Sequence, residues 1–226
     1  MKVEVNSASF ADAVAWTTRV IDTRPANPIL AGLKIEASNG TLQLSAFNYQ
    51  ISSLNHIEAG VDEEGSVLVL GKLMADITKS LPAENTYLST ENNILTITSG
   101  KSTFTLQLMP IGEYPDLPTL PSKLGQVDAP TFIQAVNQAS VSISKEENRP
   151  VLTGIRMQFE NDTVTMTSTD RFRLSRSTFK WTPENNDIHA TTLVRGSLLR
   201  DVARSFDDHQ NVVIDFNDEE PTLLGF

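Results

Sequence analysis

The first half of the chain returns in the second half at a nearly constant offset. Phe10, Ala13 and Val14 recur at Phe132, Ala135 and Val136, and Pro28, Leu30, Gly32, Asn39, Thr41 and Leu42 recur at Pro150, Leu152, Gly154, Asn161, Thr163 and Val164, all 122 positions later. Gly71, Leu73, Asp76, Ile77 and Ser80 recur at Gly196, Leu198, Asp201, Val202 and Ser205, where the offset is 125. One register running through helix-like and strand-like stretches repeats a whole domain, since solenoid units are only roughly 20–50 residues long. Two similarly folded domains are therefore expected, at residues 1–121 and 122–226. In the first copy Phe104, Leu106 and Leu108 form a last strand-like alternation. A constant offset puts its counterpart from position 229, beyond Phe226, so the second domain is expected to lack its last strand and any domain after it.

At 226 residues the chain holds two domains, each large enough to bury its own core. It has no cysteine, which excludes disulfides and thiolate metal sites and favours a reducing, cytoplasmic setting. Met1 to Asn6 is charged and polar rather than a signal core, and no apolar run approaches the roughly 20 residues that span a bilayer. The net charge of −10 argues against a partner held by bulk positive charge. The charge is uneven, however. Arg19, Arg24, Lys72, Lys79, Arg195, Arg200 and Arg204 lie in or beside helix-like segments. Acid gathers at Asp62–Glu64, Glu146–Glu147, Asp207–Asp208 and Asp218–Glu220. Two readings stand: a mildly basic helical face on an acidic body, or ordinary solvated helix faces.

Ser9 suits a helix N-cap, with Phe10, Ala13, Val14, Thr17 and Ile21 at helical spacing. In the second copy Thr131 and Gln134 fit a capping box. Strand-like segments follow at Ile29–Glu36, Leu42–Phe47 and Ile51–Ala59, with Asn39-Gly40 as a hairpin turn. After Asp62–Gly65 the order begins again: strand Val67–Leu70, helix Lys72–Leu81 stopped by Pro82, and strands Tyr87–Thr90, Ile94–Thr98 and Phe104–Leu108. Each domain thus reads as β-α-β-β-β written twice, an α+β architecture with two helices packed on about eight antiparallel strands. Pro110, Pro115, Pro118 and Pro121 mark the connector between domains.

Motifs for chemistry fail on inspection. Gly65 to Lys72 has five residues between its glycines and Leu73 where a phosphate loop needs Ser or Thr, and its middle reads as a buried strand. His56, His189 and His209 have no second ligand at metal spacing, and no Gly-x-Ser-x-Gly elbow occurs. Asn39-Gly40-Thr41 and Asn161-Asp162-Thr163 match a glycosylation sequon but share one repeat position, as hairpin turns do. The repeat is broken informatively at one place, where Phe47-Asn48-Tyr49-Gln50-Ile51 is replaced by Thr169-Asp170-Arg171-Phe172-Arg173-Leu174. That mixture of cations and apolar side chains fits a peptide-binding rim and a locally paired edge strand equally well.

Arg24-Pro25-Ala26-Asn27-Pro28-Ile29-Leu30, Gly71-Lys72 ahead of a helix with Asp76-Ile77, Leu152-Thr153-Gly154 and Thr169 to Leu174 together resemble, in order and spacing, the bacterial sliding-clamp family, the beta subunit of DNA polymerase III. The resemblance covers the whole chain. It implies the DNA-clamp fold, here the first of three domains and most of the second, in a head-to-tail homodimeric ring. The implied function is to encircle duplex DNA without regard to sequence and tether the replicative polymerase for processive replication, with no catalysis, metal or cofactor of its own. The implied partners are DNA, the polymerase, the clamp loader and other proteins with clamp-binding peptides. By position, Arg24 and Lys72 match DNA contacts, and Lys79, Arg195 and Arg204 fall on or near helices facing the hole. A further family DNA contact is replaced by Glu146. Leu152, Thr169, Arg171, Phe172, Arg173 and Leu174 match one side of the peptide pocket, although members vary where Arg171 and Phe172 stand. Ile77, Leu81, Phe104 and Leu106 match the ring-closing interface. The alternatives are a β-rich peptide-binding adaptor that does not encircle DNA, and a two-domain hydrolase or transferase with its catalytic part beyond Phe226.

Overall fold

A computed structural model describes residues 1–82, 85–146, 148–207, 209–216 and 223–226. The chain divides into two compact units, Met1–Pro118 and Thr119–Phe226. In the first, β1 (Lys2–Asn6) leads into α1 (Ser7–Thr17), then β2 (Gly32–Ser38), β3 (Thr41–Phe47), β4 (Ser52–Glu58), β5 (Gly60–Glu63) and β6 (Gly65–Leu70). Helix α2 (Gly71–Thr78) precedes β7 (Asn85–Glu91), β8 (Ile94–Ser99) and β9 (Ser102–Gln107). The second unit follows the same plan: β10 (Lys123–Asp128), α3 (Ala129–Ala139), β11 (Gly154–Glu160), β12 (Thr163–Thr169), β13 (Leu174–Lys180), β14 (Thr182–Pro183), β15 (His189–Arg195), α4 (Gly196–Ala203), β16 (Asn211–Phe216) and β17 (Leu224–Gly225).

The expected β-α-β-β-β pattern is present twice in the first unit, as β1-α1-β2-β3-β4 and β6-α2-β7-β8-β9, with β5 between them. The two halves interlock. Sheet order is β5-β1-β7-β8-β9 and β4-β3-β2-β6, so the lead strand of each half completes the sheet of the other. Order β14-β10-β16-β17 and β13-β12-β11-β15 repeats this in the second unit. All the pairings are antiparallel. Residues at i, i+3, i+4 and i+7 of α1 (Phe10, Ala13, Val14 and Thr17) are buried, and Phe132, Ala135, Val136 and Ala139 repeat the stripe on α3. Phe10 and Phe132 are fully buried, each a burial that stabilises by about 1.5–3 kcal/mol. Asn39 and Gly40 turn with φ of 50° and 74°, the left-handed pair a tight hairpin needs.

Local corrections follow from capping and register. The first helix begins two residues before Ser9, because the Asn6 side chain accepts from the N–H groups of Ala8 and Ser9. The second begins at Ala129, with Asp128 accepting from Thr131 N–H in place of a Thr131–Gln134 box. Ile21 lies outside α1, α2 stops at Thr78, and Pro28–Ala31 is a 3-10 turn ahead of β2. Strands β1 and β5, which the sequence left as a charged terminus and an acidic break, pair with each other. By the last hairpin the offset has grown to 129, with Leu224 opposite Phe216 as Leu95 is opposite Thr90.

The Pro-rich stretch after β9 is part of the first unit rather than a bare connector. Tyr114, Met109, Ile111 and Leu117 pack on Ile29, Leu30, Phe47 and Leu68 over the outer face of β2, β3 and β6. Burial raises the Tyr114 phenol above its ordinary value, so it stays protonated. Its hydroxyl accepts from Phe47 N–H at 2.9 Å and reaches the Gly32 carbonyl at 3.4 Å, bridging the splayed end of the β2–β3 ladder.

Two expectations follow. Tyr114→Phe leaves both backbone groups without that bridge and should cost about 1–3 kcal/mol, read as a lower urea midpoint of the first unit. Asp128→Ala should cost about 1 kcal/mol of the second unit's stability. The Thr131 N–H holds the Asp128 carboxyl below its usual value. Its contribution is therefore present above the unfolded pKa and lost as pH falls through the folded one, below about pH 4. In the first unit the cap is the neutral Asn6, so Asp128→Asn should keep the cap and abolish this acid dependence in a thermal melt from pH 7 to 3.

Candidate functional site

The outer face of the sheet β13-β12-β11-β15 carries the candidate site. Alternation in β11 sends Ile155, Met157 and Phe159 into the core and Arg156 and Gln158 outward. Cross-strand register then aligns Arg176, Thr167, Arg156 and Leu193 in one outward row, and Leu174 stands opposite Thr169 in the next. Beside these rows Val151 and Leu152, from the 3-10 turn Pro150–Thr153, close a cavity of about 440 Å³ whose wall also includes Arg156, Thr167, Thr169 and Leu193. Val151 is 70% exposed and Leu193 50%, so the apolar part of this wall faces solvent.

The turn after Thr169 is built by side chains. Asp170 accepts from the N–H groups of Phe172 and Arg173 and from Arg173 Nε at 2.9 Å, and Thr169 Oγ1 donates to the Arg173 carbonyl. The Arg173 guanidinium, with these N–H groups, holds the Asp170 carboxyl below its usual range. Arg171 takes a left-handed backbone, φ 81°, with its guanidinium 3.6 Å from Glu146 and 5.7 Å from the Phe172 ring centre. Phe172 is 89% exposed.

Of the six residues expected at a pocket, Leu152 and Thr169 line the cavity, and Leu174 is paired with Thr169 across the ladder but is not in the wall. Arg171, Phe172 and Arg173 form the adjoining turn and are not in the wall. Val151, Arg156, Thr167 and Leu193 were missed. The outward place of Arg156 between two buried residues was an available signal, whereas Val151 and Leu193 occupy the positions of the buried Ile29 and Leu68 and offered none.

The expected basic residues are all exposed. Arg24 lies in the loop before the turn at Pro28, Lys72 in the first turn of α2, and Arg195 just ahead of α4. Lys79 and Arg204 occupy the same repeat position, each the C-cap of its helix and each held by an aspartate three residues earlier, Asp76 at 3.6 Å and Asp201 at 3.7 Å. Arg200, by contrast, is half-buried. Glu147, Asp208 and Asp218–Glu220 lie outside the described residues. No cluster of His, Asp or Glu suited to a metal ion occurs among the described residues, and residues 65–70 form strand β6. None of the described helices is long and apolar enough to cross a membrane.

Among the four residues expected at an interface, Ile77 and Leu106 are 8% and 3% exposed and belong to the core of the first unit. Leu81 and Phe104 are half-buried against that core. They sit there because α2 lays its apolar stripe on the sheets and β9 turns Leu106 inward.

Residues 1–118 match the family model of the DNA polymerase III beta subunit N-terminal domain, and residues 126–223 that of its central domain. The chain is 42% identical to the beta sliding clamp of Streptomyces coelicolor, over 95% of this chain and 57% of that protein. The structure of the Bacillus subtilis DNA polymerase sliding clamp superposes with a TM-score of 0.90 at 24% identity, over 96% of this chain and 60% of that one. A Helicobacter pylori beta clamp bound to a DNA ligase peptide gives 0.81 at 24% identity, over 96% and 62%. The chain thus spans somewhat under two thirds of the length of these relatives. With both of its units matched in order, the chain belongs to the DNA polymerase III beta subunit family.

Proposed function

We propose that the chain supplies two domains of a cytoplasmic sliding clamp, a head-to-tail homodimeric ring that encircles duplex DNA and tethers the replicative polymerase without chemistry of its own. The observation that carries this reading is the agreement of both units with the clamp domains in the same order as in the relatives. The basic helix ends support it. Lys79 and Arg204 are exposed cations held by exposed aspartates, and such pairs contribute at most about 1 kcal/mol, so phosphates can take the place of the carboxylates at little cost. Contacts of this kind are weak, salt-sensitive and blind to sequence, which suits sliding, while topological closure supplies retention.

In this reading Arg24, Lys72, Lys79, Arg195 and Arg204 meet DNA, and the second-unit cavity with Thr169 to Leu174 receives partner peptides. The polymerase, the clamp loader and other proteins with clamp-binding segments are the partners. An adaptor that binds peptides without encircling DNA would leave the paired basic C-caps without a role.

In the full-length protein, Arg24→Ala with Lys72→Ala should shorten residence on nicked circular DNA and lower the salt slope of loading by about two, on every sequence alike. An unchanged slope would count against the DNA assignment. Closure would use the unpaired edge of β9, with the half-buried Phe104 and Leu81 beside it and Ile77 and Leu106 supporting them from within. Phe104→Arg should then give monomers by sedimentation, since an unpaired guanidinium is costly at a packed interface; a dimer of wild-type strength would contradict it.

A further inference from the structure

Six of the described residues other than glycine take a left-handed backbone. Four are asparagines, Asn39, Asn92, Asn93 and Asn161, whose short amide side chain tolerates that conformation in a hairpin turn. The other two are Tyr49 and Arg171, with φ of 67° and 81°, at one repeat position. Their turns are built alike: Asn48 Oδ1 accepts from the N–H groups of Gln50 and Ile51, as Asp170 accepts from those of Phe172 and Arg173. Arg171 turns its guanidinium back toward Glu146 and the Phe172 ring. Tyr49 instead is 62% exposed. A bulky aromatic residue is strained in this conformation, and strain of this kind gathers at binding sites.

The ring is held as well as exposed. It meets Phe47 with 5.4 Å between ring centres and the planes at 70°, and Phe47 packs in turn on the cluster of Ile29, Leu30, Leu68 and Tyr114. With most of the residue in solvent, at least one face of the ring is open. Asn48 Nδ2 donates to the Val20 carbonyl at 3.0 Å. The loop between Val20 and Ile29 is thereby joined to the turn at both ends, by that hydrogen bond at its start and by the packing of Ile29 with Phe47 at its finish. Arg24 lies in this loop and Arg19 in the 3-10 turn Thr18–Val20 before it, both exposed, with Asp22 between them. An aromatic ring and two cations thus belong to one corner of the first unit.

Charge and shape select the ligand. A peptide that laid an arginine or lysine on the ring would be repelled by Arg19 and Arg24, whereas a nucleic-acid strand brings phosphates to those cations and a flat base to the ring. The bases of a duplex stack on one another and offer no face, so the base must be unpaired.

We propose that Tyr49 is a stacking platform for an unpaired base of single-stranded DNA whose phosphates lie on Arg19 and Arg24, so that the first unit holds the strand where a duplex gives way to an overhang. This goes beyond Arg24 as a duplex contact and rests on the reading of the chain as part of a DNA clamp.

The test uses the 226-residue chain and two fluorescein-labelled DNAs, a blunt duplex and the same duplex with an overhang of about ten thymidines, one of them replaced by iodouracil. Irradiation should cross-link the overhang to Tyr49, identified by mass spectrometry of the digest. In anisotropy titrations Tyr49→Ala should weaken binding of the overhang DNA about fivefold or more and leave the blunt duplex unchanged, while Tyr49→Phe keeps both. Tyr49→Gly should weaken overhang binding like Tyr49→Ala with a urea midpoint no lower than that of the parent chain, because glycine takes the left-handed backbone without strain. Equal loss on the two DNAs would make Tyr49 an ordinary duplex contact and overturn the inference. Unchanged overhang binding, or cross-links that avoid Tyr49, would overturn it as well and leave the clamp reading standing if the blunt duplex is bound and Arg24→Ala weakens it. Failure to bind either DNA would overturn both. A lowered midpoint for Tyr49→Gly with binding of both DNAs kept would assign the ring a purely structural role.

Discussion

Each unit depends on an exchange of strands between its two halves. β1 is sequence-local to α1 and β2 but hydrogen-bonds to β7, and β6 completes the sheet begun by β2, β3 and β4. Neither half has a closed sheet alone, so neither folds alone, and the two sheets share one core through the helices that cross between them. The contacts are mostly distant in sequence, which predicts slow folding with steep cooperativity. It also explains why α1 and α2 are short. Isolated helices of 11 and 8 residues are unstable in water and hold here because their apolar stripes are covered.

With the scaffold fixed in this way, the outer sheet faces are free to differ. The hydroxyl network of Ser7, Thr86 and Ser99 under the first helix has Ala129 and Val212 at the equivalent places of Ser7 and Thr86 in the second unit, with no change in topology. Trp181 similarly stands where the first unit has Ala59. Its indole N–H donates to the Asn161 carbonyl, and its ring fits because Gly125 replaces Val3 beneath it. These are paired exchanges of volume for volume, the kind a packed core tolerates. The duplicated fold therefore keeps one topology beneath two differently surfaced sheets.

The duplication, the order of elements and the hairpin turns were legible because each is written in local signals: apolar spacing, Asn-Gly pairs and a register repeated twice. Strand β1 was not, because Lys2-Val3-Glu4-Val5 has only two apolar residues and reads as a charged terminus until β5 and β7 are in place on either side. The caps were misplaced for a similar reason, since Asn6 and Ser9 both qualify locally and the end of β1 decides between them. The role of Tyr114 was illegible. Its partners are 67 and 82 residues away, and its proline-rich surroundings resemble a linker. In the site, the turn after Thr169 stood out by its departure from the repeat, whereas Leu193 and Val151 looked like core because their counterparts are core. What separates them is exposure, 70% and 50% against 7% and 0% for Ile29 and Leu68, which no single residue encodes.

The five-stranded sheet has unlike ends. β5 is four residues long and carries Asp62 and Glu63, and short charged strands of that kind repel an incoming backbone. β9 at the other end, Ser102–Gln107, contains neither a charged residue nor a proline. A sheet guarded at one margin and bare at the other can be extended only along β9, so an added strand has one direction from which to join it.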